Sequence, residues 1–139
     1  MIFKATQEIA NALAEKKLGY NIEEDEHTSR VISGINDKII SYSVHFISTS
    51  DNNDVGIRVF DLVRFPEGKL ESMSQFANEC NIKYRYTKFV VDSNDDSLRI
   101  EYDVPQCCQN PGDMAVEILI RIIKIVNEIA AEMMRRIWA

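Results

Sequence analysis

The sequence predicts an α+β fold: an antiparallel sheet of about five strands with helices on one face, in the order α-β-β-β-α-β-β-α. Three observations carry this. Apolar residues recur at helical spacing near both ends of the chain and again in its middle. The segments between them alternate apolar and polar residues with the period of half-buried strands. Neighbouring strands are joined by short clusters of Asp, Asn and Ser, which suit antiparallel pairs, whereas parallel pairs need a long crossover. Helices packed on such a sheet cover one of its faces.

Residues 3–18 carry Ala5, Ile9, Ala12 and Leu13 at helical spacing, and Gly19 supplies the left-handed stop. The acidic run Glu23 to Glu26 reads as a solvated connector. Residues 30–35 form a short strand. In 38–48, Ile40, Tyr42, Val44 and Phe46 point one way and Ser41, Ser43 and His45 the other. Residues 50–54 (SDNND) are a turn, and the return strand sets Val55, Ile57 and Val59 against Arg58 and Phe60. Pro66 ends that strand.

Residues 67–81 predict the second helix, with Leu70, Met73, Phe76, Ala77 and Cys80 on one face. The aromatic and β-branched content of 83–92 predicts a strand. SNDD at 93–96 turns the chain into a last strand whose inner side is Leu98, Ile100, Tyr102 and Val104. After a connector from Pro105 to Gly112, a final helix runs from Asp113, a good N-cap, to Trp138. Its stripe is Ala115, Ile118, Ile122, Val126, Ile129, Met133 and Ile137, widened by Ile120 and Ile123, and Arg135 and Arg136 suit its C-terminal dipole.

At 139 residues the chain fits one domain spanning 1–139, large enough to build a core without staples. The net charge of −6, with Lys and Arg scattered, argues against nucleic acid as a partner, because that affinity rests on clustered cations. Three cysteines without framework spacing fit a reducing compartment. The first residues lack a continuous apolar run. The most apolar stretch, Met114 to Val126, is broken by Glu117, Arg121 and Lys124, so it reads as a core helix and not a membrane span. The expected location is the cytoplasm.

The reactive residues form no known constellation. Asp92, Asn94, Asp96 and Asp103 fall on calcium-loop positions, but Ser97 stands where that loop needs Gly and the flanks read as strands. Cys107-Cys108 is adjacent, without C-x-x-C spacing, and precedes a helix, while Cys80 reads as core. His27 and His45 lack paired ligands for zinc. No nucleophile elbow or Gly-rich phosphate loop is present. Asn78 and Asn81 read as C-terminal caps of the second helix. No catalytic residue, metal or cofactor is expected.

The segment from Arg64 to Pro105, RFPEGKLESMSQFANECNIKYRYTKFVVDSNDDSLRIEYDVP, resembles the core of the YbjN-type domain of bacterial sensory transduction regulators. It shares an FPE start, a helix ending in N-x-x-N (Asn78, Asn81), an aromatic-rich strand with a Lys (Tyr84, Tyr86, Lys88), then a turn and a strand ending near Pro105. The helix ending in Gly19-Tyr20 also fits, and the last helix matches by position. The resemblance implies a fold similar to type III secretion chaperones, often dimeric, in proteins that hold or regulate other proteins. It implies no catalytic residues. Fold kinship alone does not fix function.

The sheet carries the binding expectation. Phe60 shares a face with Arg58, and Tyr84, Tyr86 and Val90 oppose Thr87, Phe89 and Val91, so aromatic surface should remain on the side away from the helices. Such residues tolerate simple exposure, and they are also enriched in interface cores. The expected function is therefore a non-enzymatic protein-interaction module, chaperone-like or regulatory, and a homodimer. It would bind a protein partner on the outer face or along an edge strand, with Arg58, Phe60, Tyr84 and Tyr86 as contacts. The alternatives are a small-ligand sensor or an enzyme whose site the sequence hides, and base stacking on the Tyr84/Arg85/Tyr86 strand.

Overall fold

The computed structural model describes Met1–Ala139. Its elements are α1 (Lys4–Glu15), β1 (Asn21–Glu24), β2 (Ser29–Asn36), β3 (Ser41–Ser48), β4 (Val55–Arg64), α2 (Leu70–Lys83), β5 (Lys88–Asp92), β6 (Ser97–Val104) and α3 (Pro111–Trp138). The strands form one antiparallel sheet in the order β1-β2-β3-β4-β6-β5. The α+β class and the antiparallel sheet agree with the sequence.

The alternation in the strands decides where the core lies. Val31, Val44, Phe46, Ile57, Val59, Leu98 and Ile100 are fully buried on the inner face. They share one cluster with Ile9 and Leu13 of α1, Met73 and Phe76 of α2, and the long stripe of α3. Burial of each such side chain stabilises by roughly 1.5–3 kcal/mol. α1 and α3 cross closely: a Cβ at Gly112 would stand 2.7 Å from the Glu8 carbonyl oxygen. The start of α1 is fixed by a buried polar knot. The Phe3 amide donates to Ser29 Oγ at 3.1 Å, and Ser29 Oγ and Thr6 Oγ1 lie 2.7 Å apart.

The sheet has six strands where about five are expected, because Asn21–Glu24 of the acidic run pairs with β2. Only Ile22 of β1 is drawn against the core, while Asn21, Glu23 and Glu24 stay exposed. One inward residue gives no readable alternation, and the charged, short strand is a typical protected edge. Residues 38–40, the start of the expected strand 38–48, lie instead in a turn in which the Asp37 amide donates to the Ile40 carbonyl at 2.9 Å. α3 starts at Pro111, so Asp113 lies in its first turn instead of capping it.

The largest departure is at 83–87. α2 runs on to Lys83, and the Tyr84 amide still donates to the Cys80 carbonyl at 2.9 Å. Tyr86 then takes a left-handed φ of 68°, and the Thr87 amide bonds the Arg85 carbonyl at 2.8 Å. The predicted strand 83–92 is thereby cut to Lys88–Asp92. Local β-propensity yields here to continuation of a helix whose apolar face is already buried.

Asn81 does not cap α2. The Phe89 amide donates to Asn81 Oδ1 at 2.7 Å, and Asn81 Nδ2 donates to the Phe89 carbonyl at 3.0 Å. The side-chain amide thus takes the place of a neighbouring strand and occupies part of the free edge of β5. Asn81 is the helix-borne residue that satisfies an outward-facing peptide there.

Candidate protein-binding face

α1, α2 and α3 all bury their apolar stripes in the core on the inner side of the sheet, leaving the outer face without a covering helix. The registers fix what stands on it. Asn21, Ile32, His45, Arg58, Glu101 and Lys88 are directly opposite one another across all six strands. The adjacent row is Glu23, Arg30, Ile47, Gly56 and Asp103. Directly opposed side chains sit about 4.5–5.5 Å apart at Cβ, so neighbours in a row lie within reach of one another, and Gly56 leaves room in the second row.

Two guanidinium groups are held in place. Arg58 lies back over Gly56, where a Cβ would sit 3.5 Å from its guanidinium. Its Nη1 donates to the Ile57 and Tyr102 carbonyls, both at 2.9 Å, and meets Asp103 Oδ1 at 3.0 Å. Arg99 stands 3.4 Å from Asp92 Oδ2, and its Nε is 2.9 Å from Glu101 Oε2, an ionic contact not aligned for a hydrogen bond. These pairs are part-exposed, so their value to stability is of order 0–1 kcal/mol each. Their effect is to fix orientation.

Phe60 rises from an irregularity in β4. Val59 pairs with Ile100 and Val63 with Leu98, so Phe60, Asp61 and Leu62 stand opposite Arg99 alone. Asp61 adopts φ 48° at this bulge. The Phe60 ring is 41% exposed and meets the His45 ring edge-on at 5.2 Å. On its other side His45 Nδ1 lies 3.2 Å from Arg30 Nη1. Arginine only donates, so Nδ1 accepts and the imidazole is neutral with its proton on Nε2. Burial, then the Arg30 charge, holds the His45 pKa below its ordinary 6.5, with Glu23 opposing.

Of the four residues expected to form the contact surface, the structure brings Arg58 and Phe60 together on the outer face. Tyr84 and Tyr86 are not there. Neither lies in β5, because the chain turns before that strand begins at Lys88. The Tyr84 hydroxyl reaches Glu128 of α3 at 2.7 Å, and Tyr86 is 72% exposed beside the helices. An aromatic base-stacking strand is therefore not formed. The outer face is mixed in character, with Ile32, Ile47, Val90 and Phe60 set among Arg30, His45, Arg58 and Arg99. Arg30, Arg99, Glu101 and Asp103 escape a reading of single segments, because only register places them beside Arg58.

Cys80 is buried as expected, and burial pushes its thiol up to about 11. Residues 92–96 form a hairpin turn, with the Asn94 amide bonded to Asp92 Oδ1. No group of three or more His, Cys, Asp or Glu is placed to hold a metal ion. No helix is long and apolar enough to cross a membrane.

Fold and face together define a two-layer α+β protein with one uncovered, charge-patterned sheet surface. The chain belongs to the YbjN family, whose description reads "Putative bacterial sensory transduction regulator"; residues 6–136 match the family model. That description points to a regulatory role. No curated protein and no solved structure matches the chain.

Proposed function

We propose that the chain is a non-enzymatic protein-interaction module, regulatory or chaperone-like, that docks a partner protein on the outer face of its sheet and pairs with a second copy as a homodimer. The observation that supports this reading is the outer face itself: a six-stranded sheet left bare, with an aromatic ring raised at its bulge beside guanidinium groups already fixed in position. Six strands at ~4.8 Å spacing and ~3.3 Å per residue present roughly 700 Å² before side-chain relief is counted. A standard interface takes about 800 Å² from each partner, so the face matches one docking surface in size. Arg is among the residue types that dominate binding energy at the centre of an interface, and Phe is enriched in interfaces. The ion pairs around them set which partner fits more than how tightly it binds.

Photo-crosslinking in cells of the native organism tests it. A benzophenone amino acid replaces Phe60 in one version and Ile120, exposed on α3, in another. Defined adducts at position 60, to another protein or to a second copy, with none shared by position 120, are the expected result. Position 60 giving no adduct above background refutes docking on this face.

A further inference from the structure

A second surface lies on the helical side, where β5 stops short. Antiparallel strands turn alternate peptide groups to alternate neighbours. The Phe89 amide and carbonyl face outward to Asn81. On β6, Glu101 therefore faces Lys88 of β5, Tyr102 faces β4, and the peptide group of Asp103 faces outward again. No strand stands there, because Tyr86 at φ 68° has turned the chain away. The Asp103 carboxylate does not obstruct this edge, since Arg58 holds it at 3.0 Å on the other face.

Beside the open edge is an apolar hollow of about 400 Å³ walled by Tyr86, Tyr102, Val104, Cys107 and Met114. Tyr86 also walls an adjoining hollow of about 460 Å³ that carries Lys83, Arg85, Arg121 and Lys124. Its one carboxylate, Glu128, is bonded by the Tyr84 hydroxyl. Arg121 pairs with Glu117, but Lys83, Arg85 and Lys124 make no salt bridge, on a chain whose net charge is −6. Free cations gathered at one place on an acidic protein call for an anionic partner.

We propose that this corner binds an extended peptide segment of another protein in which a large apolar residue is flanked by carboxylates. The peptide backbone adds to the β6 edge at Asp103, the apolar side chain fills the Tyr86–Tyr102–Met114 hollow, and the carboxylates meet Arg85 and Lys124. Strand addition of this kind takes affinity from main-chain bonds and specificity from alternate side chains. The proposal is independent of docking on the outer face, and its failure leaves that reading untouched.

The test is selection of a displayed random peptide library on the full chain, with counter-selection on an Arg85→Glu/Lys124→Glu variant. Both residues are exposed, so the variant keeps its fold, which its melting temperature verifies. The expected winners combine Phe, Leu or Tyr with Asp or Glu. Synthetic copies, followed by fluorescence anisotropy, should bind about tenfold more weakly to the double variant. They should also weaken on N-methylation of the peptide backbone and bind Phe60→Ala unchanged. No enrichment, or enrichment of basic or uncharged peptides, overturns the proposal. So does binding of dodecanoate without binding of peptide, which makes the corner a site for a small amphiphile. Self-association lost in the double variant, seen by sedimentation, also overturns it and makes the occupant a second copy.

Discussion

Replacing Asn81 with Ala should uncouple α2 from the edge of β5. Asn81 makes two hydrogen bonds, at 2.7 and 3.0 Å, to the amide and carbonyl of Phe89, whose side chain is 3% exposed. Each such bond contributes about 0.5–1.5 kcal/mol net, and a buried group left unpaired costs about 1–3 kcal/mol. Asn81 itself is exposed, so water partly reaches the vacated groups and the lower part of the range applies. The expected loss is about 1–3 kcal/mol, which for a chain of this size lowers Tm by roughly 4–10 °C. Asn81→Asp keeps the acceptor for the Phe89 amide but sets an oxygen against its carbonyl, so it should not rescue. Asn78→Ala, one turn earlier and exposed, should cost under about 0.5 kcal/mol. Hydrogen exchange followed residue by residue gives the decisive readout: the Phe89 amide should lose protection, while Val90, paired with Arg99 on β6, keeps it. An unchanged Phe89 amide, with Tm no lower than for Asn78→Ala, refutes the strand-mimic argument.

Gly112→Ala sets two effects against each other. Helix propensity favours Ala by about 1 kcal/mol, but its Cβ would stand 2.7 Å from the Glu8 carbonyl oxygen, and overpacking costs about 1–3 kcal/mol. A lower Tm is expected, and a higher one would show that the α1–α3 crossing yields freely. The depressed pKa of His45 means the unfolded chain takes up a proton first as pH falls below 6.5. Stability is thus fully present above that pH and declines below it, towards the folded pKa. His45→Gln should flatten urea midpoints between about pH 7 and 5 relative to the parent, and an equal slope in both proteins sinks the assignment. Among the thiols, exposed Cys107 should alkylate in the native state and Cys80 only after unfolding, as peptide mass spectrometry would show; early labelling of Cys80 contradicts its place in the core.

Most of the fold is legible where one periodicity holds without competition. The stripe from Ala115 to Ile137 and the alternation around Val44 and Phe46 each have a single physical solution. The acidic run at Glu23 hides a strand because an edge strand needs only one inward residue, Ile22. The Tyr84–Thr87 segment misleads for the opposite reason: its residues suit a strand, yet the helix before them is anchored by Phe76 and Cys80 and runs on. The candidate face is half legible. Alternation along β4 puts Arg58 and Phe60 on one side, but their neighbours Arg30, His45, Glu101 and Asp103 come from distant segments and are set by register. Likewise Asn81 reads as a cap, because its partner is a backbone group that no side-chain pattern marks.

α3 follows β6 in the chain and supplies a large part of the inner cover of the sheet, from Ala115 to Ile137. During synthesis at about 5–20 residues per second, β6 is complete roughly 2–7 s before α3 is. Until α3 docks, Phe46, Ile57 and Ile100 line a sheet face that lacks this lid. Slower translation of residues 105–138 prolongs that exposure and should lower the yield of soluble chain.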